Sequence, residues 1–107
     1  MNNETRTEES PMPLLILFVT GDAPRSRRAR ANLERMLRSM KRDDLQPHEI
    51  DLLQQPQQGL TYSVFATPSL LKTDRQGGGS LLYGDLSDAE RLERFLVDLP
   101  ETDTEMA

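Results

Sequence analysis

The pattern of apolar and polar positions predicts a buried strand followed by a long amphipathic helix. Residues 14–19 form an uninterrupted apolar run bounded by Pro13 and Gly21, which is typical of a central strand buried on both faces. Pro24 then suits the first position of a helix, and Asp22 is expected to cap it or to interact with its dipole. The helix is predicted to run to about residue 41, with a buried stripe of Ala29, Leu33, Met36, Leu37 and Met40.

The middle of the chain predicts a second strand and a short helix. Residues 48–52 alternate, with His48, Ile50 and Leu52 on one side, a pattern that indicates a half-buried or edge strand. Residues 56–64 predict a short helix that buries Leu60 and Val64.

The last third of the chain predicts a hairpin and a final helix. Residues 68–72 and 80–83 form two apolar segments joined by a glycine-rich loop, whose glycines favour a hairpin turn. Ser87 and Glu90 have the spacing of a capping box, with Ser87 as the N-cap. The final helix then buries Leu92, Phe95, Leu96 and Leu99, and Pro100 ends it.

The resulting order, βαβαββα, predicts an α/β thioredoxin-like fold with a mixed four-stranded sheet and flanking helices. A right-handed crossover makes the first two strands parallel, and the hairpin adds an antiparallel pair. Pro68 occupies the position before the third strand where this architecture places a cis proline, and we predict a cis bond there. The folded domain is expected over residues 14–100, with disordered tails at 1–13 and, acidic in character, at 101–107.

Composition removes several classes of chemistry. The 107 residues are enough for one small domain, and they contain no cysteine and one histidine, which excludes disulfides and thiol chemistry. The loop at residues 21–26, where a thioredoxin carries its redox cysteines, therefore has no redox centre. We expect no metal site and no cofactor. Because the longest apolar run is too short to span a bilayer, we also expect a cytoplasmic protein without a membrane association.

The charge is unevenly distributed along the chain. The net charge is −5, but eight of the 13 basic residues and one of the 18 acidic residues lie between Arg25 and Arg42. The first helix therefore carries about +7 and the remainder about −12. An acidic chain is not expected to bind nucleic acid, which needs a positive footprint. The basic helix suits either an acidic protein partner or plain solvation.

No catalytic constellation emerges from the residues. His48 has no serine with which to form a triad, and Asp85 and Asp88 are explained by capping at a helix N-terminus. Ser26 beside Pro68 leaves a remote alternative, a glutathione-binding enzyme, although a polar residue in the first helical turn is the simpler interpretation. We therefore predict that the protein is not an enzyme.

Several segments resemble the KaiB family of circadian-clock proteins. Residues 17–21 with Pro24 and Ser26 resemble the family's opening strand and turn, and residues 50–53 with Pro56 and Gln57 resemble its second strand and exit. The most specific segments are Ala-Thr-Pro-Ser-Leu at 66–70 and Gly-Asp-Leu-Ser at 84–87. The order and spacing are kept over residues 14–99.

This resemblance implies a non-catalytic adaptor in circadian or related signalling. It implies docking onto the hexameric ATPase KaiC, in competition with a KaiB-like sensor domain of a histidine kinase. The family's binding surface falls on Arg28, Gln46 and His48 here, and the second strand offers a backbone edge. The resemblance also implies fold switching between a tetrameric ground-state fold and a monomeric thioredoxin-like fold, that is, a metamorphic protein.

Departures from the family pattern favour the thioredoxin-like state. Gly77 and Gly78 replace part of a proline cluster, Phe95 replaces a glycine, and Val97 replaces an aspartate. Glycine weakens a helix by about 1 kcal/mol relative to alanine, so Phe95 strengthens the last helix. We predict a mainly monomeric protein, with the tetramer as the alternative. Leu81 replaces a basic residue of clock members, so a KaiB-like protein in stress response or signalling without a clock is an alternative function.

Overall fold

The structure, a computed structural model, describes residues 15–73 and 79–99. The predicted element order is confirmed over these residues. The elements are β1 (Leu15–Val19), α1 (Pro24–Ser39), β2 (His48–Asp51), α2 (Gln57–Tyr62), β3 (Ser69–Thr73), β4 (Gly79–Tyr83) and α3 (Ala89–Leu96). The predicted tails, Gly77, Gly78 and Pro100 lie outside the described residues.

The four strands form one mixed sheet in the order β2-β1-β3-β4. β1 pairs in parallel with β2, with Phe18 opposite Ile50, and antiparallel with β3, with Leu17 opposite Leu70. β3 and β4 form the predicted antiparallel pair. β1 therefore has a neighbour on each side and elements above and below, which explains why its whole apolar run is buried. β2 lies at one edge of the sheet, as the alternating pattern predicted.

One face of the sheet is covered by α1 and α3, and we call it the helical face. Alternate residues of β1 point to it, because successive side chains of a strand point to opposite sides. Met36, Met40 and Phe95 pack against this core while half-buried. Its buried members are Leu15, Leu17, Val19, Ala29, Leu33, Leu37, Leu45, Leu70, Leu82, Leu86, Leu92, Leu96 and Leu99.

The opposite face of the sheet is covered by the connection between β2 and β3, which contains α2. We call it the connection face. Its core is smaller and consists of Ile16, Phe18, Ile50, Val64 and Leu71, with Leu52, Tyr62 and Leu81 packed against it. The rings of Phe18 and Tyr62 lie 5.5 Å apart in a tilted arrangement, a geometry that aromatic pairs favour.

The structure corrects both ends of α1. Asp22 does not cap the helix: the N-cap is Ala23 without a side-chain hydrogen bond, and Asp22 instead pairs with Arg30. The helix ends at Ser39, two residues before the predicted end, because Lys41 adopts a left-handed conformation with φ of 59°. The Arg42 N–H then donates to the Leu37 carbonyl at 2.8 Å, a bond that satisfies one of the last helical carbonyls.

The prediction that Leu60 is buried is wrong. Its side chain is 75% exposed, whereas Val64 is buried as predicted. α2 buries Gly59 instead, and a Cβ atom on this residue would lie 3.1 Å from the Val64 carbonyl oxygen. Since the next residue of a helix points about 100° away, Leu60 faces solvent.

The last helix begins one residue later than the capping box predicted. Its N-cap is Asp88, whose carboxylate accepts a hydrogen bond from the Arg91 N–H. Ser87 belongs to the preceding turn, because its own N–H donates to Asp85. Leu86 adopts a φ of 64° in that turn, and its side chain is buried in the core of the helical face.

Candidate functional site

The predicted docking residue Arg28 lies on α1 and ties it to the turn after β4. Its Nε donates to Asp85 Oδ2 at 3.0 Å, while roughly half of the Arg28 side chain remains exposed. Asn32, one turn further along α1, donates to the Asp85 carbonyl oxygen at 2.9 Å. Arg28 therefore joins two elements of the domain and also presents charge at the surface.

The same turn carries a strongly perturbed carboxyl group. Hydrogen bonding from Ser87, followed by that from Arg28, lowers the pKa of Asp85 to about 2. Hydrogen bonds and a nearby cation favour the charged form of a carboxyl group. Asp85 is thus held in its charged form by its contacts with Ser87 and Arg28.

Gln46 lies two residues before β2 and His48 is the first residue of the strand, and both side chains are exposed. His48 opens the strand and stands opposite Ile16 of β1. Among the described strands, β2 pairs only with β1, so its outer edge presents backbone groups to solvent. Such an edge can receive an extended segment of another chain.

A groove of about 360 Å³ separates α1 from β2. Its floor is apolar and its rim carries both signs of charge. Gln46 lines this groove, whereas Arg28 and His48 do not. The lining residues are Leu17, Arg30, Leu33, Glu34, Leu37, Arg38, Asp43, Leu45, Gln46, Pro47 and Glu49. The structure therefore places Gln46 and His48 together on the β2 edge and places Arg28 on the opposite flank of α1.

Arg30 is a residue of this region that the sequence reasoning missed. Its guanidinium lies 2.8 Å from Glu49 on β2 and 3.4 Å from Asp22, and it donates to the Gly21 carbonyl at 3.0 Å. The hydrogen bond with Glu49 raises the pKa of Arg30. The sequence did contain a signal for this role. Arg30 lies four residues after buried Ser26 and three before buried Leu33, which places it at the border of the buried side of α1.

The β1–α1 loop contains hydroxyl groups that hold its conformation. Ser26 is buried, and its Oγ accepts a hydrogen bond from the Thr20 N–H at 3.0 Å. The hydroxyls of Thr20 and Thr67 also hydrogen-bond to each other. Because Ser26 is buried and engaged by the backbone, the geometry gives no support to a ligand role for it.

The predicted fold-determining residues occupy different environments. The Thr67–Pro68 bond is cis, as predicted. Phe95 of α3 packs half-buried on the helical face, with Lys72 Nζ 4.7 Å from the centre of its ring. The same ammonium donates to the Phe95 carbonyl at 2.8 Å and to Asp98 at 2.9 Å. Val97 is 64% exposed at the end of the helix.

The described part of the chain has neither a metal-binding cluster nor a membrane-spanning helix. Within residues 15–73 and 79–99, the structure contains no group of three histidine or acidic side chains placed to hold a metal ion. Over the same residues, none of the helices is both long and apolar enough to cross a membrane.

Solved structures establish the class of fold. The thioredoxin of Fasciola hepatica matches with a TM-score of 0.66 at 14% identity, over 90% of each chain. Mitochondrial thioredoxin 3 of Saccharomyces cerevisiae matches with a TM-score of 0.65 at 19% identity, over 90% of this chain and 88% of that one. The protein is therefore a thioredoxin-like α/β domain, and its β1–α1 loop has no cysteine.

Within that class, three similarities establish the family. The KaiB domain model matches residues 16–97. The circadian clock protein KaiB3 of Synechocystis sp. (strain ATCC 27184 / PCC 6803 / Kazusa) is 32% identical over 88 residues, 82% of this chain and 85% of the relative. The N-terminal domain of Synechococcus elongatus SasA matches with a TM-score of 0.64 at 29% identity, over 84% of this chain and 88% of that domain. The chain belongs to the KaiB family.

Proposed function

We propose that this protein is a non-catalytic adaptor that docks onto a KaiC-type hexameric ATPase in circadian or related signalling. Membership of the KaiB family over residues 16–97 carries the proposal, and the named relative KaiB3 is a circadian clock protein. A KaiB-like sensor domain of a histidine kinase competes for the same surface. The similarity to the SasA N-terminal domain supports this competition, because two similar folds can present similar surfaces.

The proposed docking surface consists of Arg28, Gln46 and His48. The exposed edge of β2 supports it, because Gln46 and His48 flank backbone groups that are unpaired among the described strands. Strand addition at such an edge gives affinity through main-chain hydrogen bonds. Arg28 adds positive charge on α1, on the flank away from β2, with about half of its side chain exposed. The groove between α1 and β2 carries both positive and negative side chains at its rim, and these favour a partner with complementary charges.

The first experiment measures binding to a KaiC-type ATPase by interferometry at physiological salt. The double variant Gln46→Ala/His48→Glu is expected to bind about tenfold more weakly, since it changes the side chains beside the edge and adds a negative charge. Tyr83→Ala on β4, at the far edge of the sheet, is the control and is expected to bind as the natural protein does. Failure of the natural protein to bind the ATPase would remove the proposal.

Arg28 requires a separate design, because Asp85 engages it. The variant Arg28→Glu places two carboxylates together and disturbs the turn after β4, so weaker binding by it alone is ambiguous. The exchange Arg28→Glu/Asp85→Arg restores the ion pair while reversing the surface charge. If Arg28 contacts the partner, the exchanged protein binds as weakly as Arg28→Glu. Recovery of full binding by the exchanged protein would show that Arg28 acts only through Asp85.

A further inference from the structure

Four of the six arginines of α1 form two groups according to what their charges contact. Arg28 and Arg30 are bound to carboxylates of other elements, Asp85 and Glu49. Arg27 has no carboxylate within ion-pairing distance in the described part of the chain, and Arg35 donates only to the neutral side chain of Asn32, at 2.9 Å. The first group fixes the helix to the domain, and the second leaves its charge at the surface.

Four exposed residues lie along the outer side of α1, and we call them the outer ridge: Arg27, Ala31, Arg35 and Arg38. Spacings of four, four and three residues place them on one stripe. On a helical wheel this stripe lies opposite the buried side formed by Ala29, Leu33 and Leu37. At 1.5 Å per residue the stripe is about 16 Å long.

The outer ridge has a small side chain, Ala31, between charged side chains. Ala31 has only a methyl group, so a partner element can approach the helix closely there. Arg27 and Arg35 lie one turn to either side of Ala31, where their planar guanidinium groups can each bind a carboxylate with two parallel hydrogen bonds. Arg38 is paired with Glu34, but both side chains are at least two-thirds exposed, and such an exposed pair is weak enough to exchange partners.

The charge of the rest of the molecule decides which class of partner fits. Outside residues 25–42 the sequence carries about −12, and this net negative charge repels a polyanion such as nucleic acid. A protein element with a few carboxylates on one face avoids most of that repulsion, because its charge is local and falls off within a Debye length of about 8 Å.

We propose that the outer ridge is the docking site for an acidic helix of a partner protein, with carboxylates on Arg27 and Arg35 and a close approach at Ala31. This inference rests on the proposed function, since it names the chemistry of the partner surface that meets α1. It adds Arg27 and Arg35 to the surface formed by Arg28, Gln46 and His48. Arg28 also holds α1 to the turn after β4 through Asp85, whereas Arg27 and Arg35 have no carboxylate partner in the described part of the chain.

The test measures binding to the KaiC-type ATPase for three variants over a series of salt concentrations. Arg27→Glu/Arg35→Glu is expected to bind at least about tenfold more weakly and to lose most of the salt dependence. Arg91→Glu/Arg94→Glu makes the same change of charge at two exposed positions of α3, and a loss below about threefold is expected. Glu34→Gln releases Arg38 and is expected to tighten binding about twofold. Urea denaturation of each variant verifies that it is folded.

The outcomes separate this inference from the proposed function. If the natural protein binds the ATPase and the ridge variant binds equally well, the inference is overturned while the proposed function stands. An equal loss in the α3 control would also overturn it, since only the net charge would then matter.

If the natural protein does not bind the ATPase, the proposed function fails and a second probe tests the ridge. The probe is a helical peptide rich in glutamate, compared with a short DNA duplex at physiological salt. Peptide binding that Arg27→Glu/Arg35→Glu weakens supports the ridge as an acidic-helix site. Tighter binding of the duplex, or no binding of either probe, refutes it.

Discussion

The two faces of the sheet are closed in different ways. The helical face lies under two amphipathic helices, and α1 is held to neighbouring elements by ion pairs from Arg28 and Arg30. The connection face lies under residues 52–68, a stretch without a charged residue. Three of its large apolar side chains are exposed by 69–77%, namely Leu53, Leu60 and Phe65.

This difference shows what determines the exposed side chains of the segments that cover each face. On the helical face, burial of the apolar stripe turns the arginines outwards, so packing and surface charge are two results of one helical period. On the connection face, a six-residue helix is too short to have two well-separated sides. Its position depends on Tyr62, Val64 and the close approach at Gly59.

The largest expected effect comes from the centre of the connection face. Phe18→Ala removes a fully buried ring that contacts Tyr62, and it should lower the free energy of unfolding by about 3–5 kcal/mol. Leu33→Ala is the counterpart on the helical face, with an expected loss of about 2–5 kcal/mol. Urea denaturation at pH 7 measures both. A loss below about 1 kcal/mol for Phe18→Ala would show that the connection collapses into the space.

Phe95 tests the balance between folds on the helical face. Phe95→Gly introduces a helix-weakening residue and removes a half-buried ring, for an expected loss of about 2–4 kcal/mol. Val97→Asp alters an exposed side chain and should change stability by less than about 0.5 kcal/mol. With both substitutions we expect a second fold or a tetramer to appear.

NMR spectra and light scattering over a concentration series distinguish these states. The natural protein is expected to be mainly monomeric with α3 helical. A dominant tetramer whose last segment is a strand would contradict the proposal that Phe95 and Val97 determine the fold.

We expect Asp85 to make the free energy of unfolding depend on pH. Its pKa in the folded protein is about 2, below the ordinary value of 3.8, so the unfolded chain takes up its proton first as the pH falls. The stabilisation it provides is therefore complete above about pH 4 and is lost between pH 4 and 2. Asp85→Asn is expected to lose stability less steeply in this interval, as measured by urea denaturation at several pH values. Asp43→Asn, which changes an exposed aspartate in the turn after α1, is the control and should retain the steep loss.

The smallest effect is expected at the surface of the connection face. Leu60→Gln should change the free energy of unfolding by less than about 0.5 kcal/mol, because three-quarters of the side chain is already exposed. Thermal or urea denaturation is sufficient to measure it. A loss above about 1.5 kcal/mol would mean that Leu60 is covered in solution, and the two faces would then be more alike than the structure shows.

The sequence alone determined the element order and most of the core. The apolar run of β1, the helical periods of α1 and α3 and the edge pattern of β2 are local signals, and each predicted the right type of element because burial imposes a fixed period on helix or strand. The helix ends were less accurate, since α1 ends at Ser39 and α3 at Leu96, and Leu99 is buried beyond the helix rather than within it. The absence of cysteine likewise excluded thiol chemistry without a structure. The predicted N-cap of α3 was wrong because two neighbouring residues suit that position. Ser87 donates its N–H to Asp85 and belongs to the preceding turn, and Asp88 caps the helix instead.

Only the tertiary structure decided which charges are free. Arg28 meets Asp85 across 57 residues of sequence, and Arg30 meets Glu49 across 19. No periodicity encodes these pairs, because the topology of the sheet brings the elements together. The sequence presented eight basic residues as one positive helix. The fold binds some of them to its own carboxylates and leaves others, Arg27 and Arg35 among them, at the surface without an ion pair in the described part of the chain, since only the folded topology decides which arginine meets an acid.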